Sequence, residues 1–197
     1  MSVTIRNIIV GPGNMYTSAN DDTEPPLPSA PSSGQSYTTA LDASANWRSV
    51  GATQQGVEIA YTPSYGEVEV DQLKDAAILF NQGVQIMMNT NLAEATLMNL
   101  LVAWGFPSSS LSTDVLSVGV PLSAPVERSA VVVGKAPSTS GGATRERLYL
   151  ARRVVSMQGS NHSLRRSEAT VFPVSFRLLP DPTYSGSEYG TITDRTV

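Results

Sequence analysis

The chain has 197 residues, no cysteine and a single histidine, and its 13 Lys and Arg against 17 Asp and Glu leave a formal charge of −4. That length suffices for one domain with its own core. Disulfide and thiolate chemistry are excluded, and neither a His-based triad nor a two-His metal site can be built within one chain. The net charge gives no reason to expect a nucleic-acid binder.

The charge is unevenly spread: residues 1–124 carry −8, residues 125–180 carry +6 and residues 181–197 carry −2. Such a split lets copies of the chain meet with opposite surfaces together, which sets register more than affinity. Two solvated faces are the other reading. MSVTIRNIIV lacks the basic opening and long apolar run of a secretory leader. LLVAW at 100–104 falls far short of the ~20 residues that span a bilayer. The expectation is a soluble chain of cytoplasmic origin.

In chain order, VTIRNIIVG reads as a strand closed by Gly11, Pro12 and Gly13, and NMYTSA as a second, weaker one. NDDTEPPLPSAPSSGQSYT follows, rich in Pro, Ser and acids, with little to bury. Residues 20–38 are therefore expected to be an arm or long loop, either ordered by a neighbouring copy or disordered. GVEIAYTP alternates Val57, Ile59 and Tyr61 with Glu58, Ala60 and Thr62. SYGEVEVDQ repeats the alternation, and the two predict a hairpin turning at Pro63 with one apolar and one acidic face. In GEVEVDQ, Glu67, Glu69 and Asp71 fall on one side about 7 Å apart, with Val68 and Val70 on the other. AILFNQGVQIMMN is strand-like, with Gly83 as a bulge.

TNLAEATLMNLLVAWG predicts the one convincing helix. Ala93, Leu97, Leu100, Leu101 and Trp104 make an apolar stripe, Asn91 is the candidate cap with Glu94 three residues on, and Gly105-Phe106-Pro107 stops it. The stripe is read as core. Beyond it, DVLSVGVP, ERSAVVVGK, RERLYLARRVVSMQ and ATVFPVSFRLLP predict strands, separated by the Gly/Ser loop APSTSGGAT and the turn GSNHSLRR. Residues 181–197 form a tail ending in a short strand-like segment. Six to eight strands and one helix imply a single domain over 1–197, a mainly β, sheet-on-sheet body with a flanking helix.

Catalytic signals are scarce. His162 lies in a polar turn, GGATRER lacks the Gly-Lys-Ser/Thr ending of a phosphate loop, and the triplet NHS has meaning only in a secreted protein. Glu67 and Glu69 share a face at a spacing some glycosidase carboxyls show, but those converge from different elements in a cleft. Arg145, Arg147, Arg152, Arg153, Arg165 and Arg166 lack interleaved aromatics and suit one side of an ionic interface between subunits better than a nucleic-acid platform. No enzyme activity, cofactor or metal is expected.

The order of pieces resembles the tail tube (major tail) proteins of long, non-contractile-tailed bacteriophages. Trp47, Val50 and Gly51 match a Trp-x-x-Val-Gly opening, followed by the Gly-Val-x-Ile strand. Glu67, Val68, Val70, Asp71 and Gln72 match a Glu-Val-x-Val-Asp-Gln strand, and Ala93, Glu94, Thr96 and Leu97 match an Ala-Glu-x-Thr-Leu helix start. FRLLPDPTYSGSEYGTITD resembles the closing strand and tail. The resemblance covers residues 47–105 well and 170–194 loosely.

It implies a tail-tube-type β-sandwich or half-barrel with one flanking helix. Six copies would form a ring whose inner sheets complete a barrel, and rings would stack into a hollow virion tube assembled in the host cytoplasm. The implied partners are the chain itself, the tail terminator and tail tip proteins, the tape measure protein during assembly, and viral DNA in transit without specific binding; no membrane is involved. Glu58, Glu67, Glu69 and Asp71 would line the lumen and repel phosphates, the reverse of a binder's counterion logic. The arm at 20–38 is longer and richer in proline than the family's, and there is no added immunoglobulin-like domain. Other readings are the inner tube of a contractile tail or secretion-like system, and a monomeric β-sandwich binding module; the 7% aromatic content without a visible cluster speaks against the latter.

Overall fold

The structure, a computed structural model, describes residues 11–21, 25–32, 34–68, 78–119, 125–138, 143–157, 161–164, 166 and 169–197. The described residues are mainly β, with 49% in strands and 11% in helices. In order the elements are β1 (Asn14–Ser18), α1 (Tyr37–Asp42), β2 (Trp47–Ser49), β3 (Thr53–Val68), β4 (Ile78–Leu92) and α2 (Leu97–Trp104). A 3-10 turn (Ser108–Ser110) leads to β5 (Leu111–Ser112), β6 (Val115–Leu116), β7 (Arg128–Lys135), β8 (Arg145–Ser156), β9 (Phe172–Leu179) and β10 (Gly190–Thr196). The strand expected within VTIRNIIVG lies outside the described residues.

One antiparallel sheet runs β2-β1-β7-β8-β9-β4-β3, and β10 adds to β8. β8 organises it. One edge meets β7, while the other is shared by β10 along Arg145–Ala151 and by β9 along Arg153–Ser156. Strands β1 and β4 stand four places apart, about 19 Å if the sheet were flat. Met15 of β1 and Met88 of β4 nevertheless belong to one buried cluster with Val132, Val154 and Phe176, so the sheet curls around its core. The expected sheet-on-sheet body is thus a single curled sheet plus the β5–β6 ribbon, and the described residues close no barrel. A second cluster, with Tyr16, Tyr37, Leu41, Trp47, Val131 and Leu148, covers the other face of β1-β7-β8. Burial on both sides accounts for the continuous apolar run Ala-Val-Val-Val in β7.

Two expectations change. The predicted hairpin turning at Pro63 is one uninterrupted strand, β3, whose partner is β4; Pro63 sits opposite Val84. An edge strand tolerates a residue without an N–H because one of its sides has no ladder to supply. The bulge expected at Gly83 is present: Ser64 opposes Gly83 and Tyr65 opposes Asn81, leaving Gln82 extra. Gly83 takes φ +146° there and donates to the Asn81 side chain at 2.7 Å.

The helix begins at Leu97, not after Asn91, because Asn91 and Leu92 are held in the β4 ladder opposite Gln54 and Thr53. Thr96 caps it by accepting from Asn99 N at 3.1 Å. Gly105 ends it in the left-handed conformation, φ 69°, as glycine there permits. Of the expected stripe, Leu101 is fully buried and Leu100 packs beside the core, but Leu97 and Trp104 remain 39% and 37% exposed. Val102 and Ala103 face inward with Leu101. The short helix α1, capped by Ser36, falls where the sequence suggests only arm and loop.

Candidate assembly surface

The β3–β4 hairpin is built from alternating side chains, and directly opposed residues share a face. Ile59, Met88 and Phe176 align across β3, β4 and β9 on the core side, whereas Glu58, Asn89 and Ser175 align on the solvent side. Ser175 Oγ donates to Asn89 Oδ1 at 2.7 Å. Thr62, Gln85 and Arg177 lie on this face by the same register, with Ala60 and Met87 in the row of Arg177.

The β4–β9 ladder ends at Met87 opposite Arg177. From Tyr61↔Ile86 outward to Val68↔Ile78 the hairpin continues for roughly 25 Å with no third strand among the described residues. Large apolar groups stand in water on both of its faces: Tyr65 (59% exposed) and Leu79 (63%) on one, Val68 (42%), Ile78 (60%) and Phe80 (46%) on the other. At the hairpin's base, an open groove of about 190 Å³ runs between Ile59, Tyr61 and Met88 on one side and Tyr149, Tyr189 and Ile192 on the other.

Of the expected lumen carboxylates, Glu58 and Glu67 do not share a row. Glu58 and Glu67 are both exposed, but they are nine residues apart on one strand without a bulge between them on β3, so they point to opposite faces. Glu69 and Asp71 lie outside the described residues.

The arginines expected to make one basic surface are mostly engaged within the chain. Arg147 pairs with Asp194 (2.6 and 2.8 Å), and Arg153 pairs with Glu127 (2.7 and 2.8 Å) and donates to Pro180 O. Buried Arg152 donates to Ser187 O and lies 3.6 Å over the Tyr184 ring. Arg145 Nε is shielded from water without a hydrogen-bond partner. Arg166 is exposed, and Arg165 lies outside the described residues. Hydrogen bonding to Arg147 holds the Asp194 carboxyl below its usual range.

Sequence reasoning missed two polar hubs. Arg128 on β7, 4% exposed at its side chain, pairs with Asp21 and donates to Phe106 O at 2.9 Å, joining arm, helix end and sheet. Glu146 joins α1 and β10 to β8. Both stand among polar or charged neighbours, Glu127 and Ser129 or Arg145 and Arg147, where nothing local marks them as buried, and only their tertiary partners reveal them. The motif pieces Val-Gly and Ala-Glu also meet in space. Gly51 takes φ +75° with the Glu94 carboxylate packed against it, and Glu94 accepts from Ala52 N at 2.9 Å.

Among the described residues no cluster of three or more His, Cys, Asp or Glu could hold a metal, and no helix is long and apolar enough to cross a membrane. His162 is seated between Trp104 and Phe172, ring centroids 5.9 and 4.9 Å away. No protein-family model and no curated protein matches the chain.

Proposed function

We propose that the protein is a structural subunit that assembles with copies of itself, as the tail tube protein of a long, non-contractile phage tail. Its rings, hexameric by the family resemblance, would stack into a hollow tube for DNA, with the terminator, tip and tape measure proteins as assembly partners. The observation that carries this reading is the outer half of the β3–β4 hairpin, apolar on both faces and unpaired along both edges among the described residues. Full burial of one such side chain is worth about 1.5–3 kcal/mol. Five groups roughly half exposed therefore leave on the order of 5 kcal/mol per copy unrealised in the isolated chain. Long open edges with apolar faces are a hazard to a monomer and a resource for an assembly. Neighbouring copies that add strands to β3 would extend the curled sheet toward closure.

In such a tube the solvent face of β9-β4-β3 is the one available to line the channel, since the other packs on the core. Glu58 and Arg177 share that face with Thr62, Gln85, Asn89 and Ser175. The lining would mix hydroxyl, amide and opposing charges with Ala60 and Met87, and with Val68, Ile78 and Phe80 farther out, a wall with little hold on phosphate. Glu67 would instead take part in contacts between copies.

A monomeric binding module is the second reading, favoured by the apolar groove beside Ile192; it leaves the hairpin without a purpose. Negative-stain electron microscopy over a concentration series separates the two. Rings or hollow tubes are expected, and a chain that stays monomeric even with tail tip complex added overturns the tube reading.

A further inference from the structure

β8 carries two strands in line along one edge. Leu179, at the end of β9, opposes Arg153, and Gly190, at the start of β10, opposes Ala151. Both run antiparallel to β8, so β9 and β10 are two lengths of one line. The excursion 180–189 interrupts it, pinched at its neck where Asp181 N donates to Glu188 O at 2.8 Å. On the far side of that line stands β4, antiparallel to it. The β4–β9 ladder stops at Met87 opposite Arg177, although β4 runs on to Ile78 and the line runs on as β10. From there β4 and β10 part like the arms of a fork. The apolar groove of about 190 Å³ is the space between them, with Ile86 and Leu178 at the crotch and Tyr149 and Ala151 of β8 in its lining.

Both arms turn unused backbone toward this space. Val197 N donates to Thr144 O and Arg152 N to Tyr189 O, which assigns the odd-numbered residues of β10 to the bonds with β8. Alternate residues of an antiparallel strand turn their N–H and C=O groups the other way. Gly190 N is taken by Ser187 O, so Ile192, Asp194 and Thr196 are the ones that aim N–H groups off the edge. Between Ile78 and Ile86, β4 has no strand against its outer edge among the described residues. Tyr61 on the hairpin wall and Ile192 on the other are 64% and 67% exposed.

The registers also agree. Carried past Met87–Arg177, the ladder would pair Ile86 with Leu178 and Gln85 with Leu179, and β10 would take over with Gly190 opposite Val84. Allowing for the extra Gln82, Asn81 then meets Ile192 and Phe80 meets Thr193. Core-side residues meet core-side residues throughout. The strand can also bend where it must: Gln82 and Gly83, φ +146°, lie just beyond the crotch, and a bulge interrupts the ladder and bends the strand that carries it.

We propose that the β3–β4 hairpin is a flap with a second position, in which the outer edge of β4 zips onto β10, fills the fork and holds the chain back from assembly. The fork described here is the open position. Closure joins two exposed edges to each other, which protects an isolated chain, and it consumes the β4 edge that the open hairpin offers a neighbour. The flap stands apart from the tube reading; its inhibitory role rests on that reading.

The cysteine-free chain makes closure directly testable. Phe80 and Thr193 would be a closely spaced, non-hydrogen-bonded pair, and a disulfide requires Cα atoms within about 7 Å. Phe80→Cys/Thr193→Cys is oxidised as a dilute monomer beside Val68→Cys/Thr193→Cys, whose hairpin cysteine lies one strand farther off. An intramolecular disulfide in the first variant alone is expected, and any other pattern overturns the closed position. Electron microscopy then compares the first variant oxidised and reduced. Tubes only after reduction support the inhibitory role, and tubes in both states overturn it. Ile192→Pro asks the same question without touching the hairpin, since it removes an N–H aimed into the fork and none bonded to β8. It should lower the concentration needed for assembly about 3- to 10-fold; an unchanged or higher concentration overturns the inhibitory role. A disulfide in a chain that, like its parent, never polymerises leaves the flap standing and overturns the tube reading together with that role.

Discussion

Glu146 and Arg195 oppose each other across β8 and β10, with Arg195 Nη1 3.0 Å from Glu146 Oε1 and the Glu146 side chain only 7% exposed. The same carboxylate accepts from Ser36 Oγ at 2.7 Å and from Tyr37 N at 2.8 Å. One buried anion therefore fastens the arm, the first helix and the last strand to the centre of the sheet. Removing it leaves a guanidinium and an amide without their partner. Glu146→Ala is expected to cost about 3 kcal/mol and Glu146→Gln, which keeps an acceptor in place, clearly less. Urea unfolding of the two variants checks the order, and equal costs would show that the network is not what the site contributes.

One residue before Arg195, the Asp194–Arg147 pair lies nearer to water, with side chains 25% and 27% exposed. The folded Asp194 carboxyl sits below its unfolded value, mainly through its hydrogen bond to Arg147. Its contribution is present above the unfolded value near pH 4 and is lost as pH falls through the depressed folded value. A pair this exposed is worth at most about 1 kcal/mol. Asp194→Asn is expected to lower the urea midpoint at pH 6, with the gap from the parent chain narrowing at pH 2.5. A gap that stayed constant would rule out this linkage.

Helix α2 separates packing from pattern. Leu101→Ala removes a fully buried side chain and should cost about 2–5 kcal/mol. Leu97→Ala, at a position 39% exposed, should stay within about 1 kcal/mol. Thermal unfolding of both variants tests the observed helix face against the longer stripe in the sequence.

On the hairpin, Leu79→Asp and Phe80→Asp place charge where a neighbour is expected and a monomer buries little. Monomer stability should move by no more than about 0.5 kcal/mol. The concentration needed for assembly should rise at least about tenfold, the equivalent of about 1.4 kcal/mol. Sedimentation velocity across a dilution series measures it, and unchanged assembly would remove the hairpin from the contact.

The opposite orientation of Glu58 and Glu67 gives a sharper test of the channel than reversing both together. Glu58→Lys is expected to slow DNA delivery while tubes still form, because it adds phosphate-binding charge to the proposed lining. Glu67→Lys should alter assembly instead. Virion infectivity and tube yield, scored side by side, separate these effects, and an impairment of DNA delivery by Glu67→Lys alone would reverse the lining assignment.

Much of the sheet was legible before any coordinates. Alternation in GVEIAYTP, the unbroken Ala-Val-Val-Val of β7 and the long apolar-charged run of β8 each register a local rule, that side chains change sides every residue and that doubly buried strands lack a polar face. The Gly83 bulge and the Gly105 helix stop were equally readable, since both depend on backbone conformations that glycine reaches cheaply. Pro63 misled because proline marks a turn in most contexts, and only its place at a sheet edge makes it compatible with a strand. The helix start was misplaced because a capping pattern at Asn91 competed with the β4 ladder, and a ladder depends on a partner distant in sequence.

By itself, then, the sequence determined a mainly β chain without thiol or paired-histidine chemistry, with an acidic first part and a basic later one, and with a Pro/Ser-rich arm over residues 20–38. These are properties of composition, local sterics and side-chain alternation. The tertiary structure alone decided that the sheet is one curled surface, that Glu58 and Glu67 part company, that most of the β8 arginines already have partners, and that the arm lies on Trp47, Tyr37 and Arg195. Each of these depends on long-range contacts, and the groups they bring together are separated by up to 164 positions in the chain.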